Sequence, residues 1–329
     1  MIRPLVRFGS VAALVVLSMA VTQATARAQD AAAPAPESLA PVAAAAPVFP
    51  KPDPAQFTAV SPTKEQVNAF IKTSWGYDEN RIWQVQAIRK TEVAGMSKVL
   101  VLVGDKTGKQ QPAVVQFYTL PDGRHIFAND EIIPFGAHPY AEHRALLAQR
   151  ATGPYRGSAS KDLELVEFAD FQCPHCKAVQ PNMDMLAADF PKARIVFQNF
   201  PLETVHPSAR IAATYGVCVA KLGGNDAFFT YAAAVFDAQD SLSVPEGSTP
   251  ALNNAVTKAG LDATKVEACA RTPEAGATVE ASVKLAEDLG IDETPMLFIN
   301  GRQIPLGGIP YETIKQIVEY QAKLDGVAR

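Results

Sequence analysis

The chain has 329 residues, 30 Lys and Arg against 34 Asp and Glu, and a formal net charge of −4. That length gives room for two domains, one of them large enough to bury a full core. Near-balanced charge without a basic patch argues against a nucleic-acid partner, and four cysteines are too few for a disulfide-stapled scaffold.

In chain order, Arg3 and Arg7 precede a short apolar run, Val11 to Ala20. Two small-residue cleavage patterns follow, Ala24-Thr25-Ala26 and Ala26-Arg27-Ala28. This is the grammar of a secretory signal peptide, expected over residues 1–28. The alternative, an uncleaved membrane anchor, needs about 20 apolar residues, more than the run supplies. No cysteine stands near the cleavage patterns, which argues against a lipoprotein. The expected protein is soluble after cleavage and periplasmic or otherwise extracytoplasmic, where disulfides persist. Residues 29–57, rich in Ala and Pro, have too little bulky apolar surface to offset the entropy of ordering them and are expected to be an extended linker.

Residues 58–140 form the expected small α+β domain. A helix is expected over Thr63–Thr73, with Val67, Phe70 and Ile71 on one side. Strand-like runs follow at Ile82–Ile88, Lys98–Val103, Ala113–Leu120 and His125–Ile133, with turns at Asp105–Gly108 and Pro121-Asp122-Gly123. Residues 141–154 are expected to be a linker, helical over Ala141–Gln149 and broken by Thr152-Gly153-Pro154.

From residue 155 to the end the pattern becomes α/β. Leu163–Phe171 is expected as a strand, Cys173–Phe190 as a helix that Pro181 kinks, and Ile195–Phe200 as a second strand. A helical insert is expected over about residues 203–290. Gly223-Gly224 stops its first helix, Asn225 is placed to cap the next, residues 241–250 look like a loop, and Thr272-Pro273 opens a third helix. Met296–Asn300 and Gln303–Leu306 should form a hairpin around Asn300-Gly301, and Tyr311–Leu324 a closing helix with Pro310 at its start.

The chemistry centres on Cys173-Pro174-His175-Cys176. A Cys-x-x-Cys pair can bind zinc, but a zinc site usually needs four Cys or His ligands and the other cysteines stand singly, so no metal is expected. The strand-to-helix junction instead places the first thiol at a helix N-terminus. Unpaired N–H groups and the positive dipole end favour thiolate there, and a polar or protonated His175 adds to that. Cys173 is therefore the expected exposed nucleophile and Cys176, one turn inside the helix, the shielded resolving thiol. Glu167 shares a strand face with Leu163 and Leu165. Buried beneath the site it could relay a proton as Cys176 reacts; the alternative is a strand-edge acid that reaches solvent.

The segment Glu167-Phe168-Ala169-Asp170-Phe171-Gln172-Cys173-Pro174-His175-Cys176-Lys177, together with Thr294-Pro295-Met296-Leu297-Phe298-Ile299-Asn300-Gly301, resembles the two signatures of DsbA-like thiol–disulfide oxidoreductases. The resemblance covers about residues 155–329 and implies a thioredoxin fold with a helical insertion, preceded here by the small α+β domain. It implies that Pro295 is cis and faces Cys173, and that Thr294 offers its backbone to an extended substrate peptide. Some DsbA-like proteins carry a second bridge in the insert, which implies a structural disulfide between Cys218 and Cys269; the alternative is two buried free thiols. Val93–Val99 and Pro121–His125 faintly resemble the dimerisation domain of DsbC-like isomerases, which implies a homodimer. His206, before Pro207, is expected at the surface.

The resulting expectation is an enzyme, a protein thiol–disulfide oxidoreductase forming disulfides in exported proteins through Cys173 and Cys176. It needs no diffusible cofactor, and the resemblance implies reoxidation by a membrane quinone-linked partner. A dimeric isomerase or reductase keeps the chemistry and reverses its direction. A peptide-binding chaperone, or a metal-delivery protein using the cysteine pair, are the readings from other classes.

Overall fold

The structure, a computed structural model, describes residues 49–108 and 111–327. The expected signal peptide and most of the expected linker lie outside the described residues. Among the described residues no helix is long and apolar enough to cross a membrane.

The first helix, α1 (Lys64–Trp75), starts at Thr63 because Thr63 and Gln66 close a capping box, each side chain taking the other's backbone N–H. Strands β1 (Arg81–Lys90), β2 (Ser97–Asp105), β3 (Ala113–Thr119), β4 (His125–Ala128) and β5 (Glu131–Pro134) follow as an antiparallel meander in that order. Val67, Phe70 and Ile71 of α1 share a buried cluster with Val85, Ile88, Val99, Val101, Phe117 and Ile126 of the sheet. The run expected as one strand over His125–Ile133 is two. The chain reverses at Asn129 (φ 49°) and Asp130 (φ 66°), among the few side chains that tolerate the left-handed region. This domain also begins earlier than residue 58: Asp53 caps a 3-10 turn at Pro54–Gln56, and Phe57 bridges to Ile88.

Helix α2 (Ala141–Arg150) was expected as a linker, but its Leu147 is buried with Val166, Phe168 and Phe298, so the helix belongs to the second domain. That domain continues with β6 (Tyr155–Gly157), β7 (Glu164–Ala169), α3 (Pro174–Asp189), β8 (Arg194–Asn199), α4 (Ala209–Asp237), α5 (Pro245–Lys258), α6 (Ala263–Ala270), α7 (Pro273–Asp288), β9 (Met296–Ile299), β10 (Arg302–Pro305) and α8 (Tyr311–Leu324). Its sheet runs β10-β9-β7-β8-β6, with β7 and β8 parallel and the other pairs antiparallel. One face packs on α3 and α8 through Leu165, Met183, Leu186, Ile314 and Val318; the other packs on α2 and α7 through Val166, Phe168, Leu285 and Ala286. Asn300 (φ 47°) and Gly301 (φ 87°) make the β9–β10 turn. A Cβ on Gly301 would lie 2.4 Å from the Tyr140 carbonyl oxygen, so only glycine fits there.

Helices α4 to α7 form the insertion. Gly224 (φ 79°, ψ −170°) breaks α4, but Asn225 caps nothing: its side-chain oxygen accepts the Tyr155 N–H at 3.2 Å instead. Residues 241–250 are not a loop. They continue a 3-10 turn at Gln239–Ser243 and open α5 at Pro245, which holds an N-terminal position where a missing N–H costs nothing. Pro181 lies within α3, which runs on through it to Asp189.

The domains are joined at the end of α1. Its last carbonyls, those of Lys72, Thr73 and Ser74, accept from Tyr320 (2.6 Å), from one Arg302 nitrogen and from the other (2.9 Å). Arg302 is 4% exposed and its guanidinium lies 4.6 Å over the Tyr140 ring. A cation against the negative end of a helix is favourable, so Arg302 seats the small domain on the β9–β10 hairpin.

Candidate active site: the Cys173–Cys176 dithiol

Strand β7 ends at Ala169, and a short loop delivers Cys173 to the N-cap of α3. Pro174 enforces this locally. As the first helical residue it has φ pre-set for the helix, and it pushes the residue before it out of the helical region. Cys173 accordingly has extended backbone (φ −74°, ψ 121°), and Cys176 follows one turn inside.

Both cysteines are free thiols, and neither is exposed: Cys173 is 4% accessible and Cys176 fully buried. This corrects the expectation of an exposed Cys173. The insertion packs over the loop, so Cys173 shares a buried cluster with Phe171, Phe236 and Leu242. The Thr294 carbonyl accepts from Cys173 Sγ at 3.7 Å, across a Thr294–Pro295 peptide bond that is cis.

The two thiols are driven apart electrostatically. Cys173 is lowered to about 5, first by a hydrogen bond from the Cys176 thiol, then, against the opposing effect of burial, by Thr294 and the N–H groups of Cys176 and His175. Cys176 is pushed well above the ordinary thiol range, first by burial, then by the hydrogen bond and charge of Cys173. The Asp170 N–H donates to its sulfur at 3.4 Å. His175 contributes through its backbone N–H, while its imidazole stands exposed on the surface. The buried Thr294 hydroxyl stands near both sulfurs and lowers each thiol.

Glu167 lies under α3, 3% exposed, and its carboxylate accepts from Gln180 Nε2 at 2.9 Å. Gln180 Nε2 also donates to the Cys176 carbonyl at 3.1 Å, so one side chain links the acid to the Cys176 backbone. Burial raises Glu167 to about 7, with the Gln180 bond and the Arg156 charge opposing.

Two parts of the site escaped the sequence reading. Asp170, 1% exposed, accepts from the Gln172 N–H (2.7 Å) and the Leu202 N–H (2.8 Å) and faces His206 Nδ1 at 2.8 Å. His206 is thus half-buried, the partner of a buried acid two residues beyond Phe168. The only available signal was an Asp inside an apolar strand end. The second part is Gln239, which reaches the nucleophile's loop from the insertion and which no periodicity marks.

Cys218 on α4 and Cys269 on α6 form a disulfide, with Cα atoms 5.9 Å apart. The bridge spans 51 residues, and closing a loop of that order removes about 4 kcal/mol of chain entropy from the unfolded state. Replacing both by Ala should lower the denaturant midpoint correspondingly without removing exchange at Cys173. An unchanged midpoint would mean the insertion holds together without the bridge. Among the described residues no cluster of three or more His, Cys, Asp or Glu is arranged to hold a metal.

A Cys-Pro-His-Cys helix start on a central strand, facing a Thr-Pro bond, defines a dithiol site on a thioredoxin fold with a helical insertion. The chain belongs to the thioredoxin family: the Thioredoxin_4 family model, described as thioredoxin, matches residues 149–320. Among curated proteins it is similar to the Na(+)/H(+) antiporter NhaA 3 of Salinispora tropica, 28% identical over 148 residues, 45% of this chain and 22% of that protein. Similarity to NhaA 1 of Mycolicibacterium vanbaalenii is 31% over 149 residues, 44% of this chain and 23% of that one. The chain spans about a fifth of the length of these relatives. Among solved structures, a thioredoxin-like oxidoreductase from Silicibacter pomeroyi is 21% identical with a TM-score of 0.46, over 55% of this chain and 98% of that one. BdbD from Bacillus subtilis (20%, TM-score 0.47) covers 52% and 93%, and DsbA2 from Pseudomonas aeruginosa (26%, TM-score 0.44) covers 52% and 94%.

Proposed function

We propose that this chain is an extracytoplasmic thiol–disulfide oxidoreductase that forms disulfides in exported proteins. The observation that carries the reading is the asymmetry of the pair: Cys173 sits at the N-cap of α3 among donors, and Cys176 is fully buried behind it. In the oxidised enzyme a substrate thiolate attacks Cys173 Sγ. The Cys173–Cys176 bond breaks, and Cys176 leaves with the electron pair and takes up a proton. A second substrate thiolate then attacks the substrate sulfur of the mixed disulfide, and Cys173 leaves as a stable thiolate. The substrate is oxidised and the enzyme is reduced by two electrons. A low thiol pKa makes Cys173 a good leaving group, which favours this direction.

Substrate peptide aligns along Thr294 and Pro295 as an added strand. A membrane quinone-linked partner restores the disulfide, and the signal peptide delivers the chain to its compartment. A second reading, a dimeric isomerase or reductase, is favoured by the small domain. On its sheet face opposite α1, Val114 (64% exposed), Phe127 (40%) and its cross-strand partner Ile132 (65%) present apolar side chains that self-association would cover.

The test is the equilibrium of the Cys173–Cys176 pair with glutathione, in a chain whose Cys218 and Cys269 are both replaced by Ala. A tenfold change in that equilibrium corresponds to about 30 mV. Ready reduction supports the oxidase. A pair that stays oxidised until strongly reducing conditions transfers the assignment to the isomerase or reductase.

A further inference from the structure

The insertion sends one polar side chain into the loop that carries the nucleophile. Gln239, 6% exposed, donates through Nε2 to the carbonyl of Phe171 and to that of Cys173, both at 2.9 Å. A primary amide has two N–H bonds in one plane, so a single nitrogen serves both acceptors. Neighbouring bonds tie the same segments. Gln172 Nε2 donates to the Leu242 carbonyl (3.2 Å), the Ser208 N–H donates to Gln172 Oε1 (2.8 Å), and Ser208 Oγ donates to the Leu242 carbonyl (2.8 Å). Residues 171–173 are therefore fastened to the 239–243 turn by side chains from both sides.

The two carbonyls that Gln239 holds flank the nucleophile along the chain. Each presents a partial negative charge near the place where a thiolate must form, in surroundings with little water to screen it. The Cys173 carbonyl also begins α3, accepting from the N–H groups of Cys176 (3.1 Å) and Lys177 (3.2 Å). A donor aimed at each carbonyl offsets that charge and fixes the peptide planes, so that the His175 and Cys176 N–H groups face Sγ.

We propose that Gln239 is a positioning residue for Cys173, through which the helical insertion sets how well the first turn of α3 stabilises the thiolate. This rests on Cys173 being the nucleophile of the exchange reaction proposed above. It gives the insertion a role in tuning the site as well as covering it.

The test is a pH titration of the reduced full chain, following thiolate absorbance near 240 nm and the rate of alkylation by iodoacetamide. Gln239→Met keeps the length and apolar stem but removes both donors; Gln239→Glu is isosteric and turns an oxygen toward both carbonyls. Gln172→Met loosens the same two segments without touching those carbonyls. The Cys173 midpoint should move up by about one pH unit or more in Gln239→Met, a tenfold lower proton concentration, further in Gln239→Glu, and stay in place in Gln172→Met. An unmoved midpoint in folded Gln239→Met, or an equal shift in Gln172→Met, reduces Gln239 to a structural clamp and overturns the proposal. If Gln239→Met does not fold, the isosteric Glu variant decides in the same way. A wild-type midpoint in the ordinary thiol range would instead remove the exchange reading itself, a result the variants do not mimic.

Discussion

The stability of the reduced protein, measured against that of the oxidised protein, is expected to rise by about 3 kcal/mol between pH 4 and pH 7. The cause is Cys173, an acid held at about 5 in the folded dithiol, against about 8.5 for a free thiol in the unfolded chain. The folded state therefore carries a thiolate across a window in which the unfolded state carries a thiol. A depressed acid contributes fully above its unfolded value and loses the contribution as pH falls through its folded value. At pH 7 roughly two pH units of that window have been crossed, at about 1.4 kcal/mol each. Cys176, pushed up by burial, works in the opposite sense only above the free-thiol value, so the clean range is pH 5 to 8. The disulfide has no thiolate to offer, and its loop constraint adds a constant that drops out of the pH dependence. By the thermodynamic cycle, 3 kcal/mol in favour of the reduced fold makes the disulfide more oxidising by about 60 mV. Urea unfolding of both redox forms at unit steps from pH 4 to 8, with Cys218 and Cys269 replaced, measures the difference. Parallel curves would mean that the N-terminus of α3 does not hold an anion.

The elements legible in the sequence are those with strong local punctuation. Pro310 before Tyr311 fixed the start of α8, and Asn300-Gly301 fixed the β9–β10 turn, because each restricts the backbone by itself. The dithiol was legible for the same reason, since Pro174 marks a helix start directly after an apolar strand. What depends on tertiary packing was not. Helix α2 looks like a linker until Leu147 is seen in the core, and α5 looks like a loop because Pro245 and Pro250 mimic breaks. Strand β6, three residues long, has no periodicity to display. The burial of Cys173 and the Gln239 contacts join segments 66 and 68 residues apart, and a glutamine in a turn advertises no partner. The pairing of His206 with Asp170 is not legible because the acid lies 36 residues back in a different element.

Glu167→Gln should stabilise the protein by about 3 kcal/mol at pH 8 and change little at pH 4, while slowing exchange. Burial is the main reason that Glu167 is raised to about 7, against about 4.3 for a free side chain. The sign is opposite to that of Cys173. A raised acid costs nothing below its unfolded value, where both states are protonated, and the full penalty is present above its folded value. Glutamine keeps the shape of the neutral acid and the contact with Gln180 but never has to ionise, so it removes that penalty. A cost of this size at neutral pH is what a proton relay through Glu167 would carry. Cys176 leaves into a fully buried position that disfavours its thiolate, and Glu167 is linked to the same residue through Gln180. The expected signature is a variant that is more stable yet slower, with a flatter pH profile for exchange between pH 6 and 8. If the variant is no more stable than its parent at pH 8, the carboxylate is reached by water in solution and Glu167 has no place in the proton path.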